Sequence, residues 1–151
     1  MNFFEFITSN KVLNITFVAW ISAQIIKTIL VLITTKKFSA ERLFGAGGMP
    51  SSHTALVVSL ATAVLRAHGF QSTYFAMALT LAGVVMYDAM GVRREAGEHA
   101  KLLNSIVKDI FTKDFKTEES VKALKEYLGH TPKEVLGGAI LGLIVGVTFP
   151  L

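Results

Sequence analysis

Four apolar stretches, set apart by polar and basic sequence, constrain this chain more than any other feature. They run Val12 to Thr35, Pro50 to Leu65, Ser72 to Met90 and Val135 to Leu151. An apolar run of about 20 residues is long enough to cross the hydrocarbon core of a bilayer as a helix. The expected fold class is therefore all-α: one integral-membrane helical bundle over 1–151, with spans near 12–35, 50–66, 72–90 and 133–151 and a cytoplasmic helical insert over 91–131. Composition agrees, since 52% of residues are apolar and only 17% charged, against about 25% charged in soluble domains. The chain has no Cys, which removes disulfides, thiolate nucleophiles and thiolate metal sites. No cleavable leader is expected, because Glu5 and no basic cluster precede the first apolar run.

The charges are placed unevenly. With four spans, the loops Lys36–Met49 and Gly91–Thr131 share one side, and they hold most of the cations, among them Lys36, Lys37, Arg42, Arg93, Arg94, Lys101 and Lys108. The opposite side holds Lys11 and Arg66. Basic loops stay in the cytoplasm, so both long loops are expected there. Basic residues gathered in loops beside apolar spans do not point to nucleic acid, and no nucleic-acid partner is expected. Within the insert, Leu102, Leu103, Ile106, Val107, Ile110 and Phe111 recur at helical spacing, so Glu98–Phe111 reads as an amphipathic helix. Glu118–Leu128 reads as a second, with Thr117 as its cap and Gly129 as its stop. Whether they lie on the membrane or beneath the bundle stays open. Lys27, inside the first span, is costly in lipid and should face other helices or snorkel; its expected role is structural. Gly138, Gly142 and Gly146 form a small-residue face suited to close helix packing, and the same face suits a homodimer.

The stretch Gly45 to Thr54 is where chemistry concentrates. A glycine cluster leads into Pro50, which fits a first helical turn, and Ser51, Ser52 and Thr54 offer hydroxyls where helix N–H groups lack partners. A helix start with free donors and an imidazole, His53, suits a phosphate. Arg93 and Arg94 just after the third span, and His130 just before the fourth, come to the same side. Cleaving a phosphate monoester without a metal needs a nucleophile, which a neutral imidazole supplies, and an acid for the leaving alkoxide. It also needs cations on the phosphoryl oxygens and a carboxylate to orient the nucleophile. His130 and Glu134, four residues apart, can share one helix face, and each arginine offers a forked guanidinium. Asp88, an acid ending an apolar span, is costly to bury and should pair with Arg93, Arg94 or Lys27.

These residues resemble a known family. Pro50-Ser51-Ser52-His53 is similar to the P-S-G-H signature of the type 2 phosphatidic acid phosphatase superfamily, which includes vanadium haloperoxidases. Gly48 to Thr54, Tyr87 to Arg94 and Gly129 to Val135 resemble the three blocks of its divergent bacterial and plant branch. The resemblance implies that His53 is the general acid, with Ser51 and Ser52 on the phosphate. It also implies that His130, with Glu134 four residues on, is the nucleophile, and that Arg93 is the signature arginine. His99 stands at the signature spacing from Arg93 but has Leu103 where the carboxylate belongs, and so ranks below His130. Lys37 and Arg42, with Lys36, lie in the region of the first signature, K-x6-R-P, without its spacing or proline.

The function this implies is a metal-independent membrane phosphatase. It would hydrolyse a lipid phosphomonoester or pyrophosphate, of the phosphatidic acid, phosphatidylglycerophosphate or polyprenyl phosphate class, through a phosphohistidine. The expected setting is a bacterial plasma membrane with the site facing the cytoplasm, no cofactor and no metal. Two alternatives remain: a non-catalytic lipid-phosphate-binding or scaffold protein, and a metal-dependent phosphotransferase using Asp88 with Glu95 and Glu98.

Overall fold

The computed structural model describes residues 9–36, 48–114, 124 and 129–151, the side chains of 109–114 excepted. The described residues form five helices: α1 (Lys11–Thr35), α2 (Ser52–His68), α3 (Thr73–Met90), α4 (Val92–Asp114) and α5 (Pro132–Thr148). No strand occurs among them, so the all-α expectation holds. Two stretches are long and apolar enough to cross a membrane, Lys11–Thr35 and the nearly continuous run Thr73–Lys108. The other two apolar helices, α2 and α5, have 17 residues each, about 25 Å at 1.5 Å per residue.

Caps set the boundaries. Asn10, Ser51, Ser72 and Thr131 each turn a side-chain oxygen onto an N–H of the first turn of α1, α2, α3 and α5, where no intrahelical acceptor exists. This corrects the reading of Pro50, which precedes the Ser51 cap rather than occupying the first turn. Pro132 does begin α5. Helix α2 also continues through Arg66 to His68 and stops at Gly69, whose φ of +81° suits a residue without Cβ.

The amphipathic helix starts earlier than its apolar periodicity suggests, at Val92 rather than Glu98, because Gly91 interrupts α3 for only one residue. The second insert helix, Glu118–Leu128, lies outside the described residues except at Leu124. That residue is not helical: its backbone N–H and carbonyl pair with the Asn104 side chain at 3.0 and 2.9 Å.

Helix α2 is the centre. Helices α1, α3 and α5 all pack on it, α1 also meets α5, and α3 and α1 do not pack on each other. The small-residue face of α5 explains the tight α2–α5 contact. A Cβ at Gly142 would fall 2.5 Å from the Ala55 carbonyl oxygen, and one at Gly146 would fall 2.6 Å from Thr62 Cβ. The backbones are therefore closer than any side chain permits. That face is filled from within the chain and is not open to a second copy. Ile15 and Ala19 of α1, Ala63 of α2 and Val145 of α5 close one apolar cluster; Ala61 and Val64 of α2 with Phe75 and Ala78 of α3 close another.

Candidate active site

At the end of the bundle where α2 and α5 begin and α3 ends, three distant parts of the chain are tied together by backbone hydrogen bonds. The Ser51 N–H donates to the Glu134 carbonyl at 3.0 Å, joining the starts of α2 and α5. The His130 N–H donates to the Ala89 carbonyl at 2.9 Å, joining the approach to α5 to the last turn of α3. Gly129 makes that approach possible. Its φ is +84°, and a Cβ there would lie 2.7 Å from the Arg93 carbonyl carbon, so any side chain would push His130 away from α4.

The result is one hollow lined by His53, Val85, Ala89, Arg93, Gly129 and His130. His53 and His130, with Arg93, thus face a shared space although they come from three segments. Its enclosed volume is about 10 Å³, the size of one water, so a larger anion must seat at its mouth, where Arg93 is half-exposed. Arg93 donates through Nε to Asp88 Oδ2, which settles Asp88 as the arginine's partner. The two Nη groups of Arg93 have no hydrogen bond among the described residues.

Glu134 holds two positions at once. Its Oε2 accepts from the Thr131 N–H at 2.9 Å, completing a capping box with the Thr131 hydroxyl, and lies 3.3 Å from His130 Nδ1. An ionised carboxylate only accepts, so it favours the tautomer with the proton on Nδ1 and leaves Nε2 with its lone pair. His130 is buried, at 4% exposure. Burial holds its pKa below the usual imidazole value; the Glu134 hydrogen bond and charge oppose this, while Lys27 and Arg93 reinforce it. The net direction favours the neutral ring.

Lys27 is the site residue that sequence reasoning undervalued. It is 1% exposed, packs against Gly48, and lies near enough to both His53 and His130 to act on them electrostatically. The available signal was its cost in lipid, which is met by turning toward other polar groups inside the bundle.

Other expected residues take different places. Ser51 and Ser52 are buried and do not line the hollow. The Ser51 hydroxyl accepts from the Thr54 N–H at 3.3 Å and the Thr54 hydroxyl at 3.0 Å, so it serves the helix cap that sets His53. Arg94 is exposed and does not line the hollow. Lys37 and Arg42 lie outside the described residues. His99 lines a separate open hollow with Tyr87, Val92 and Glu95, away from His53. The acids of the phosphotransferase alternative do not converge: Asp88 pairs with Arg93 and Glu98 with Lys101. Among the described residues, no three His, Asp or Glu side chains group as metal ligands.

Comparison with known proteins places the chain in a family. The model of the Divergent PAP2 family matches residues 8–145. A curated relative, the "Uncharacterized membrane protein YuiD" of Bacillus subtilis (strain 168), is 40% identical over 149 residues, covering 93% of this chain and 94% of the relative. No solved structure matches the chain.

Proposed function

Because the chain belongs to the divergent PAP2 family, we propose that it is a metal-independent membrane phosphatase. Its substrate is a lipid phosphomonoester or pyrophosphate, and its covalent intermediate is a phosphohistidine at His130. The observation that carries this reading is the hollow shared by His53, Arg93 and His130, with the Glu134 carboxylate on the Nδ1 side of His130.

In this mechanism the Nε2 lone pair of His130 attacks phosphorus as the bond from phosphorus to the lipid oxygen breaks. His53 serves as the general acid, its proton passing to the departing oxygen. Glu134 stabilises the imidazolium-like ring that forms. Arg93 through its Nη groups, and Lys27 from beneath, bear the charge on the equatorial oxygens. Water then attacks the phosphohistidine, losing a proton to His53, and the P–N bond breaks to release phosphate and restore both imidazoles. The four apolar helices span the membrane, α2 and α5 as the shorter pair. The excess of basic residues in the loops at the site end orients it to the cytoplasm of a bacterial cell.

Purified protein tested against phosphatidic acid, phosphatidylglycerophosphate and polyprenyl phosphates, with and without EDTA, decides the matter. Release of phosphate that survives EDTA and is inhibited by vanadate is expected. Lipid-phosphate binding without release from any of them would make the protein a binding module instead.

A further inference from the structure

Helix α4 carries a predominantly apolar stripe that stays uncovered. Val92, Ala96, His99, Leu103 and Ile106 recur at alternate steps of four and three and so share one face, and all five are exposed. The buried positions of α4, Gly97 and Ala100, lie on a different face, and of the described helices only α3 packs against α4. From Val92 to Lys108 the cations Arg93, Arg94, Lys101 and Lys108 outnumber the acids Glu95 and Glu98. An apolar stripe backed by a basic, polar side is the pattern of a helix lying in the plane of a membrane surface.

The junction with α3 turns that stripe toward lipid. Tyr87 of α3 and Ala96 of α4 are nine residues apart, about two and a half turns, and would look to opposite sides of a straight helix. Instead both line one hollow of about 470 Å³ together with Val92 and His99. The chain therefore bends at Gly91, whose φ of −100° and ψ of −101° depart from the helical values of about −63° and −42°. The stripe of α4 consequently faces the outer side of α3, to which the exposed Val84 and Tyr87 belong. In a spanning helix that side meets lipid, and a tyrosine near the end of a span suits headgroup depth. Thr73–Lys108 as one straight rod would reach about 54 Å, well past the roughly 30 Å hydrocarbon core, so α4 begins where the core ends. We propose that α4 lies along the leaflet surface at the site end of the bundle, its stripe from Val92 to Ile106 seated among headgroups and upper acyl chains. Lipid then fills the elbow between Tyr87 and His99. This needs α3 to span the membrane and does not depend on catalysis; it sets Arg93, the second residue of α4, at headgroup depth.

The chain has no Cys, so a single introduced thiol can carry a nitroxide without background. The test uses the full chain in vesicles of phosphatidylethanolamine and phosphatidylglycerol, with Leu103→Cys, Ile106→Cys, Ser105→Cys and Val84→Cys labelled one at a time. The ratio of oxygen to nickel-chelate accessibility rises with depth in lipid. It should be at least about threefold higher at positions 103 and 106 than at position 105, and highest at position 84 within the span, since a surface helix sinks only about 5–10 Å. Labels at 103 and 106 as open to the nickel chelate as the one at 105 would overturn the proposal, leaving α4 in water. Labels at 103 and 106 closed to both agents, with spin–spin broadening that vanishes on dilution with unlabelled protein, would overturn it in favour of two copies paired through the stripe. A label at 84 as wet as that at 105 would remove the span and the surface helix with it.

Discussion

Two arginines at opposite ends of α2 meet different fates. Arg66, in the last turn of α2, donates through Nη1 to the carbonyls of Gly146 and Phe149 at 2.6 and 2.8 Å. Those carbonyls lie where α5 runs out of intrahelical donors, so the guanidinium closes the end of a neighbouring helix. Arg93, beside the start of α2, is anchored among the described residues through Nε, by Asp88, and lines a hollow that also holds two imidazoles. The same side chain at the edge of apolar helices is a structural part where backbone acceptors are at hand. Where they are not, it is a potential binding part. The distinction lies in which acceptors surround the cation, not in the cation itself.

The sharpest way to break this comparison is at the other end of the Arg93 hollow. His130→Ala should lower phosphate release by about a thousandfold or more, as expected for loss of a covalent nucleophile, with the detergent-solubilised protein still eluting as wild type. Near-normal turnover in His130→Ala together with loss in His99→Ala would move the nucleophile to the separate hollow on α4. Arg93→Lys comes next. An ammonium cannot reproduce the fork that uses Nε for Asp88 while offering Nη groups to phosphate, so kcat/KM should fall by about 10- to 100-fold. A silent Arg93→Lys would reduce Arg93 to the structural status of Arg66.

Part of this contrast was legible before any coordinates. The hydropathy runs located four of the helices to within a residue or two at most ends, because a long, predominantly apolar segment in lipid must satisfy its backbone polar groups internally and so has little choice but a helix. The Pro50-to-Thr54 block and the His130–Glu134 spacing placed both imidazoles at helix starts, where caps such as Ser51 and Thr131 are local and readable. What the chain concealed was partnership across elements. Nothing local to Lys27 says that its ammonium ends near His53 rather than at the lipid headgroups, and nothing local to Gly129 says that Arg93 and Arg94 will pack on it. Likewise the glycine face of α5 announces close packing but not whether the neighbour is α2 or a second copy; the carbonyl of Ala55 answers that only in three dimensions. Arg66 looked like a topology marker for the same reason.

Arg66→Met tests the structural side of the comparison, with a smaller expected effect. Losing two charge-assisted hydrogen bonds to the end of α5, partly replaced by water at this exposed position, should cost about 1–3 kcal/mol of stability, read as a lower thermal midpoint in detergent. Turnover per folded molecule should be unchanged. A large fall in kcat with no change in the midpoint would place Arg66 in the catalytic machinery and erase the distinction drawn between the two ends.

The subtlest effect belongs to Glu134, which serves structure and site together. Glu134→Gln keeps the capping box, because an amide oxygen still accepts from the Thr131 N–H, so stability should change little. It removes the charge and the carboxylate hydrogen bond that hold the His130 pKa up against burial, Lys27 and Arg93. The pKa of His130 therefore falls further. Since the nucleophile acts as the neutral ring, which exists above its pKa, the limb of the kcat/KM profile governed by His130 should move to lower pH. The maximal rate should fall by about tenfold as the imidazolium-like ring loses its counter-charge. A profile in which neither limb moves would show that Glu134 does not act on the nucleophile.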